Sequence, residues 1–162
     1  MDTSPSKNTH VQQQQGDTPF RVLVIDDNDI DREIIIHHIR HAWPYEYDLA
    51  WETAADGDEA LAKLAQTSFA MIVLDWQLPR LRGADVLHRL RAGGADMPVI
   101  VVSGLDREEI ADDLESCGAA FLRKEGISPA TLRDAMAVSA RWLRKQNDGS
   151  LPGERTGIVS GW

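Results

Sequence analysis

Apolar and polar positions along this chain follow two different periods. Short, nearly continuous apolar runs occur at "FRVLVI" (20–25), "YDLAW" (47–51), "FAMIVL" (69–74), "MPVIVV" (97–102) and "AAFL" (119–122). Three of them are so rich in Val, Ile and Leu that both faces must be covered, as in parallel strands sandwiched between helices. Between the runs the period becomes helical. Ile30, Ile34, Ile35 and Ile39 share one side of a first helix, and Ala60, Leu61, Leu64 and Ala65 one side of a second. Gly83 opens a third that uses Val86, Leu87 and Leu90. Asp106 and Glu109 fit an Asp form of the capping box ahead of Ile110, Leu114 and Cys117. Ser128 as N-cap and Pro129 at the first helical position open the last, which presents Leu132, Met136, Ser139 and Leu143. Five β–α units in this order predict an α/β fold, an open doubly wound parallel sheet with helices on both faces. The folded block is placed at 19–146. A polar arm with a four-Gln run (1–18) precedes it and a Gly-rich, aperiodic tail (147–162) follows, both expected to be flexible.

Sheets of this kind bind ligands outside the carboxyl ends of their strands, so the strand ends are read as a set. The first run ends in Asp26 and Asp27, the third in Asp75, the fourth in Ser103, and the fifth is followed by Lys124. Two carboxylates about 4 Å apart repel by ~1 kcal/mol in bulk water and ~4 kcal/mol near a protein surface. A divalent cation turns that repulsion into attraction. Carboxylates without His or Cys make a hard oxygen site, which suits Mg²⁺ or Mn²⁺. Lys124 and Ser103 then look like partners for phosphoryl oxygens, and one carboxylate could be a nucleophile that forms an acyl phosphate.

Charge narrows the partners. Lys and Arg number 17 against 26 Asp and Glu, a formal charge of −9, whereas gripping a phosphate backbone needs a basic stripe. Direct nucleic-acid binding is not expected. The single cysteine, Cys117, excludes an internal disulfide and reads as a small core residue. No apolar segment suits secretion or membrane spanning, so the expected compartment is the cytoplasm. His37 and His41 lie four apart on one helical face, but no third metal ligand is near them, and a solvated helix edge is the reading kept. Ile36 is a candidate exposed docking residue on the first helix.

Taken together, "VLVIDDNDIDR", "MIVLDWQLPRLRG", "VIVVSG" and "AAFLRK" resemble the receiver domain of bacterial two-component response regulators over about 20–145. The resemblance implies a flavodoxin-like fold with strand order 2-1-3-4-5. It also implies phosphoryl acceptance on Asp75 from a sensor histidine kinase or histidine phosphotransfer protein. Asp26, Asp27, Asp75 and the backbone carbonyl of Gln77 would hold Mg²⁺, and Lys124 would pair with a phosphoryl oxygen. Ser103 and Phe121 would form the switch, so that the phosphorylated form docks to a downstream protein in a phosphorelay. Such a domain catalyses its own phosphorylation and hydrolysis and is not an enzyme in the turnover sense. With no output module expected in the tail, a stand-alone regulator is implied, with monomer and homodimer both open. Two departures stand out: Glu125 follows Lys124 where receivers commonly carry Pro, and Phe121 lacks the phenolic hydroxyl of the more usual Tyr.

Two other readings remain at this level. The chain could be a receiver-like interaction module that works without phosphorylation. Alternatively, "DND" at 27–29 matches the D-x-D opening of haloacid dehalogenase-type phosphatases, with Asp27 as nucleophile, although Asp31 stands where that pattern wants Thr or Val.

Overall fold

The computed structural model describes residues 19–43 and 48–148, with side chains described through 138. Five strands, β1 (Phe20–Ile25), β2 (Leu49–Ala54), β3 (Met71–Asp75), β4 (Val99–Ser103) and β5 (Ala120–Arg123), form one sheet in the order β2-β1-β3-β4-β5. Every pairing is parallel. The helices are α1 (Asp29–Ala42), α2 (Gly57–Gln66), α3 (Gly83–Ala92), α4 (Ala111–Cys117) and α5 (Pro129–Asp148). This is the flavodoxin-like order, and it reverses between β1 and β3, which opens a crevice above their carboxyl ends.

The period of two along each strand builds two cores. Leu23, Ile25, Ile72, Leu74, Val99 and Val101 face one side and pack with Ala60, Val86, Leu87 and Leu114 from α2, α3 and α4. Val22, Val24, Met71, Val73, Ile100 and Val102 face the other and meet Ile35 and Ile39 of α1 and Leu132 and Met136 of α5. Fully burying each such side chain stabilises the fold by roughly 1.5–3 kcal/mol relative to leaving it in water. β1, β3 and β4 are thereby fixed from both faces, and the residues at their ends are held rigidly.

Helix entries follow local chemistry. Asn28 caps α1 by accepting from Ile30 N and Asp31 N, and Asp56 caps α2 by accepting from Glu59 N. Ahead of α4, residues Arg107–Ile110 form a 3-10 turn, where the Glu109 carboxylate accepts from Asp106 N at 2.8 Å. Ser128 Oγ accepts from Thr131 N at 3.2 Å where α5 begins.

Several expectations need adjustment. β2 runs over Leu49–Ala54 rather than 47–51; it is an edge strand whose outer half is polar, so an apolar run marks it poorly. β3 and β4 begin two residues later than the runs and extend through Asp75 and Ser103, because Trp76 N still donates to Val102 O. On α1 only part of the apolar stripe meets the sheet. Ile30 and Ile34 are 63% and 44% exposed, whereas Ile36 is half-buried against the α1–α5 core. Ala65 is exposed. The arm 1–18 and the tail beyond 148 lie outside the described residues, as do the side chains of Ser139 and Leu143; α5 continues through Asn147 and Asp148. Among the described residues no helix is long and apolar enough to cross a membrane.

Candidate functional site

The crevice above β1 and β3 is lined with acid. Asp26 is completely buried at the end of β1, Asp75 is 2% exposed at the end of β3, and Asp27 stands beside them in solvent. One carboxylate oxygen from each of the three lies within 4.8 Å of the others. Local backbone holds two of these groups. Asp26 Oδ1 accepts from Asn28 N at 2.9 Å, and Asp75 Oδ1 accepts from Gln77 N at 3.0 Å. The loop after β3 is pressed down by Gly83, because a Cβ there would sit 2.6 Å from Asp75 O and 2.7 Å from Trp76 Cα.

Lys124 enters from the single 3-10 turn Lys124–Gly126 that follows β5. Glu125 in that turn does not keep the ammonium away. Lys124 Nζ is 2.9 Å from Asp31 Oδ2, 3.1 Å from Asp26 Oδ2 and 3.3 Å from Asp75 Oδ2. Burial alone would lower the Lys124 pKa, but the Asp31 and Asp26 contacts and the fields of Asp75 and Asp26 overcome this and push it up. Asp75 moves the opposite way to the usual salt-bridged carboxylate. Burial, then repulsion from Asp26, raise it to about 6, with the Gln77 N–H and Lys124 only partly offsetting them.

Ser103 is fully buried at the end of β4, one position beyond the Asp75↔Val102 pair. Its Oγ accepts from Leu105 N at 3.0 Å, so in this state the hydroxyl oxygen is engaged with its own loop. Phe121 is half-buried on β5 and lines a groove with Arg107, Thr131, Asp134 and Val138, apart from the acidic crevice. His37 and His41 sit on the exposed side of α1 with ring centroids 4.2 Å apart. Among the described residues Asp26, Asp27 and Asp75 form the only cluster of three or more such ligands. Cys117 is buried, as expected of a core thiol.

The family model for the response regulator receiver domain matches residues 22–137. The chain belongs to that family. Among relatives, the response regulator MprA of Mycolicibacterium vanbaalenii is 31% identical over 142 residues, covering 87% of this chain and 58% of its own length. The probable transcriptional regulatory protein TcrX of Mycobacterium tuberculosis is 36% identical over 93 residues, 56% of this chain and 37% of that protein. This receiver chain therefore spans only part of the length of these regulators. Among solved structures, the chemotaxis protein CheY4 of Vibrio cholerae superposes with a TM-score of 0.62 at 27% identity, covering 74% of this chain and 98% of that one.

The receiver's donor set fits a divalent cation on its own terms. All three groups are hard oxygen ligands, and Asp26 Oδ2, buried from solvent, has the Lys124 ammonium at 3.1 Å as its ion-pair partner. That one ammonium is shared with Asp31 and Asp75, so the crevice keeps an excess of partly buried negative charge that a further cation would answer. Sequence reasoning missed one member of this receiver's crevice, Asp31, whose contact to Lys124 is the shortest of the three. Its place in the first turn of α1, next to the strand end that carries Asp26 and Asp27, puts it on the same rim, but an acid there reads as an ordinary helix start.

Proposed function

We propose that this receiver accepts a phosphoryl group on Asp75 in a Mg²⁺-dependent reaction, the donor being phosphohistidine on a sensor kinase or a phosphotransfer protein. The observation that carries the reading is Asp75 itself. It is a nearly buried carboxylate with one oxygen fixed by Gln77 N and the other facing Lys124 at 3.3 Å, and two further carboxylates are within metal-sharing distance. An Asp75 oxygen attacks phosphorus in line, the P–N bond to the donor imidazole breaks, and its electron pair stays on the imidazole nitrogen. Lys124 balances charge on a phosphoryl oxygen. Mg²⁺, held by Asp26, Asp27 and Asp75 with the backbone carbonyl of Gln77, would supply the remaining positive charge.

The domain is then both substrate and catalyst, since its own side chains drive phosphorylation and later hydrolysis. Ser103 acts as the switch by leaving Leu105 N for a phosphoryl oxygen, and Phe121 carries the change to the groove it lines between β5 and α5. Output is contact with a downstream protein, in keeping with the −9 charge, which disfavours nucleic acid. The proposed compartment is the cytoplasm, where such donors phosphorylate their partners. The test is labelling by a phosphohistidine donor with Mg²⁺ or with chelator. Label is expected on the wild type with Mg²⁺ only, and none on Asp75→Ala; strong labelling of Asp75→Ala would overturn the assignment.

A further inference from the structure

We propose that Asp31 is a positioning residue that acts through Lys124, holding the ammonium at the rim in the resting state and competing with the incoming phosphoryl oxygen for it. The inference rests on the phosphoryl reading of Asp75 and adds to it a control that is built into α1.

Three observations point to this role. First, the Lys124 ammonium has three N–H donors and three carboxylates around it, and Asp31 is the nearest, with a hydrogen bond of 2.9 Å. Two donors are hydrogen-bonded to Asp31 and Asp75 and the third faces Asp26 at 3.1 Å, so a phosphoryl oxygen that takes a donor displaces one of these contacts. Second, the ordinary use of an acid at this place is closed. Asp31 is the third residue of α1 after the Asn28 cap, where a carboxylate would reach back to the cap's own N–H in a capping box. Asn28 N is already taken by Asp26 Oδ1, and Asn28 Oδ1 serves the helix amides of Ile30 and Asp31. The Asp31 side chain is thus not required by the cap, and it turns to a residue 93 positions away. Third, Asp31 and Lys124 together line a cavity of about 60 Å³ whose other walls are Ile34, Ile35 and Ile127. Aliphatic walls reduce solvent screening of the pair, so it is stronger than an ion pair in open water.

The charge count gives the direction. Asp26, Asp27, Asp31 and Asp75 place four carboxylates on one crevice, and Arg32 is turned to the backbone, donating to Asp26 O at 2.6 Å. Asp31 therefore both occupies Lys124 and opposes an anionic donor. Removing its charge weakens the hold on one ammonium hydrogen at the point where the phosphoryl oxygen arrives.

The experiment uses the full chain at saturating Mg²⁺, with acetyl phosphate as donor and beryllofluoride as an equilibrium mimic of the phosphoryl group. For Asp31→Asn, labelling of Asp75 is expected to rise about three- to tenfold and the half-saturating beryllofluoride concentration to fall by a similar factor, as for loss of one partly screened charge contact. Asp31→Glu, which keeps a carboxylate within reach, is expected to stay near wild type. Asp29→Asn removes the same charge from the same helical turn, but among the described residues its carboxylate accepts from its neighbour Ile30 N and does not meet Lys124, and it is expected to change neither readout. In a Lys124→Gln background, Asp31→Asn is expected to add nothing. The proposal is overturned if Asp31→Asn behaves as wild type, if Asp29→Asn gives the same gain, or if the gain survives without Lys124. A wild-type chain that takes no label at all sinks the phosphoryl reading instead, so the two failures are distinct.

Discussion

At the amino end of the sheet, Arg91 of α3 directs its guanidinium at neutral oxygens. Its Nε donates to Cys117 O at 2.7 Å, and Nη1 donates to Ala95 O and Met97 O, each at 2.9 Å. At the carboxyl end, Lys124 meets three carboxylates, one of them fully buried. Both cations are drawn partly out of water, yet the two ends differ in the charge that surrounds them. Arg91 ties the end of α4 to the loop before β4, and its charge suits the negative end of that helix. The opposite rim carries more negative charge than its one lysine can answer. A buried cation among carbonyls is a staple, whereas an excess of buried carboxylates is a receptor for a further positive charge.

That contrast can be broken from either side. The largest stability effect is expected at the staple. Arg91→Met keeps the aliphatic stem and removes the donors to three carbonyls, and should destabilise the chain by about 2–4 kcal/mol in urea unfolding. A loss below about 0.5 kcal/mol would show that water replaces the guanidinium easily and that the two ends do not differ as described.

The rim should respond with the opposite sign. In the metal-free protein the Asp75 pKa is raised from 3.8 to about 6. Between those values the folded state binds more protons than the unfolded one, so stability falls as pH rises through this window, and the full cost of ionising Asp75 is present above about pH 6. Asp75→Asn should therefore stabilise the metal-free chain by about 1–3 kcal/mol at pH 8 and flatten the pH dependence, with little gain at pH 4. A destabilised Asp75→Asn at pH 8 would contradict the electrostatic picture. The smallest effect belongs to a pair at neither end's centre. Arg21 and Glu52 meet at 3.4 Å with both side chains more than a third exposed, and Arg21→Gln should change stability by less than about 1 kcal/mol.

The residues at the strand ends were legible in the sequence because a strand buried on both faces shows as an unbroken apolar run, and a charged residue that closes such a run has few reasons to be there. Asp26, Asp75 and Ser103 all stand out this way, and the strand order brings them to one crevice. Asp31 did not stand out. It lies on a helix where an acid near the positive end of the dipole is ordinary, and its partner lies 93 residues away. The edge strand β2 was misplaced because Glu52 and Thr53 break the apolar run inside "WETA". On α1 four isoleucines at helical spacing do not reveal which of them meet the sheet; Ile35 and Ile39 do, while Ile30 and Ile34 remain in solvent. Spacing gives a stripe, and the width of the buried arc is decided by packing.

The central claim is that Asp26, Asp27 and Asp75 form a cation receptor. Trp76 directly follows Asp75 and is 9% exposed, so its fluorescence reports on the crevice during a Mg²⁺ titration. The account predicts a saturable change in the wild type, weakened or lost in Asp26→Asn and in Asp27→Asn, and unaffected by Arg91→Met. A wild type that shows no saturable response, or the same affinity in all four proteins, would contradict it.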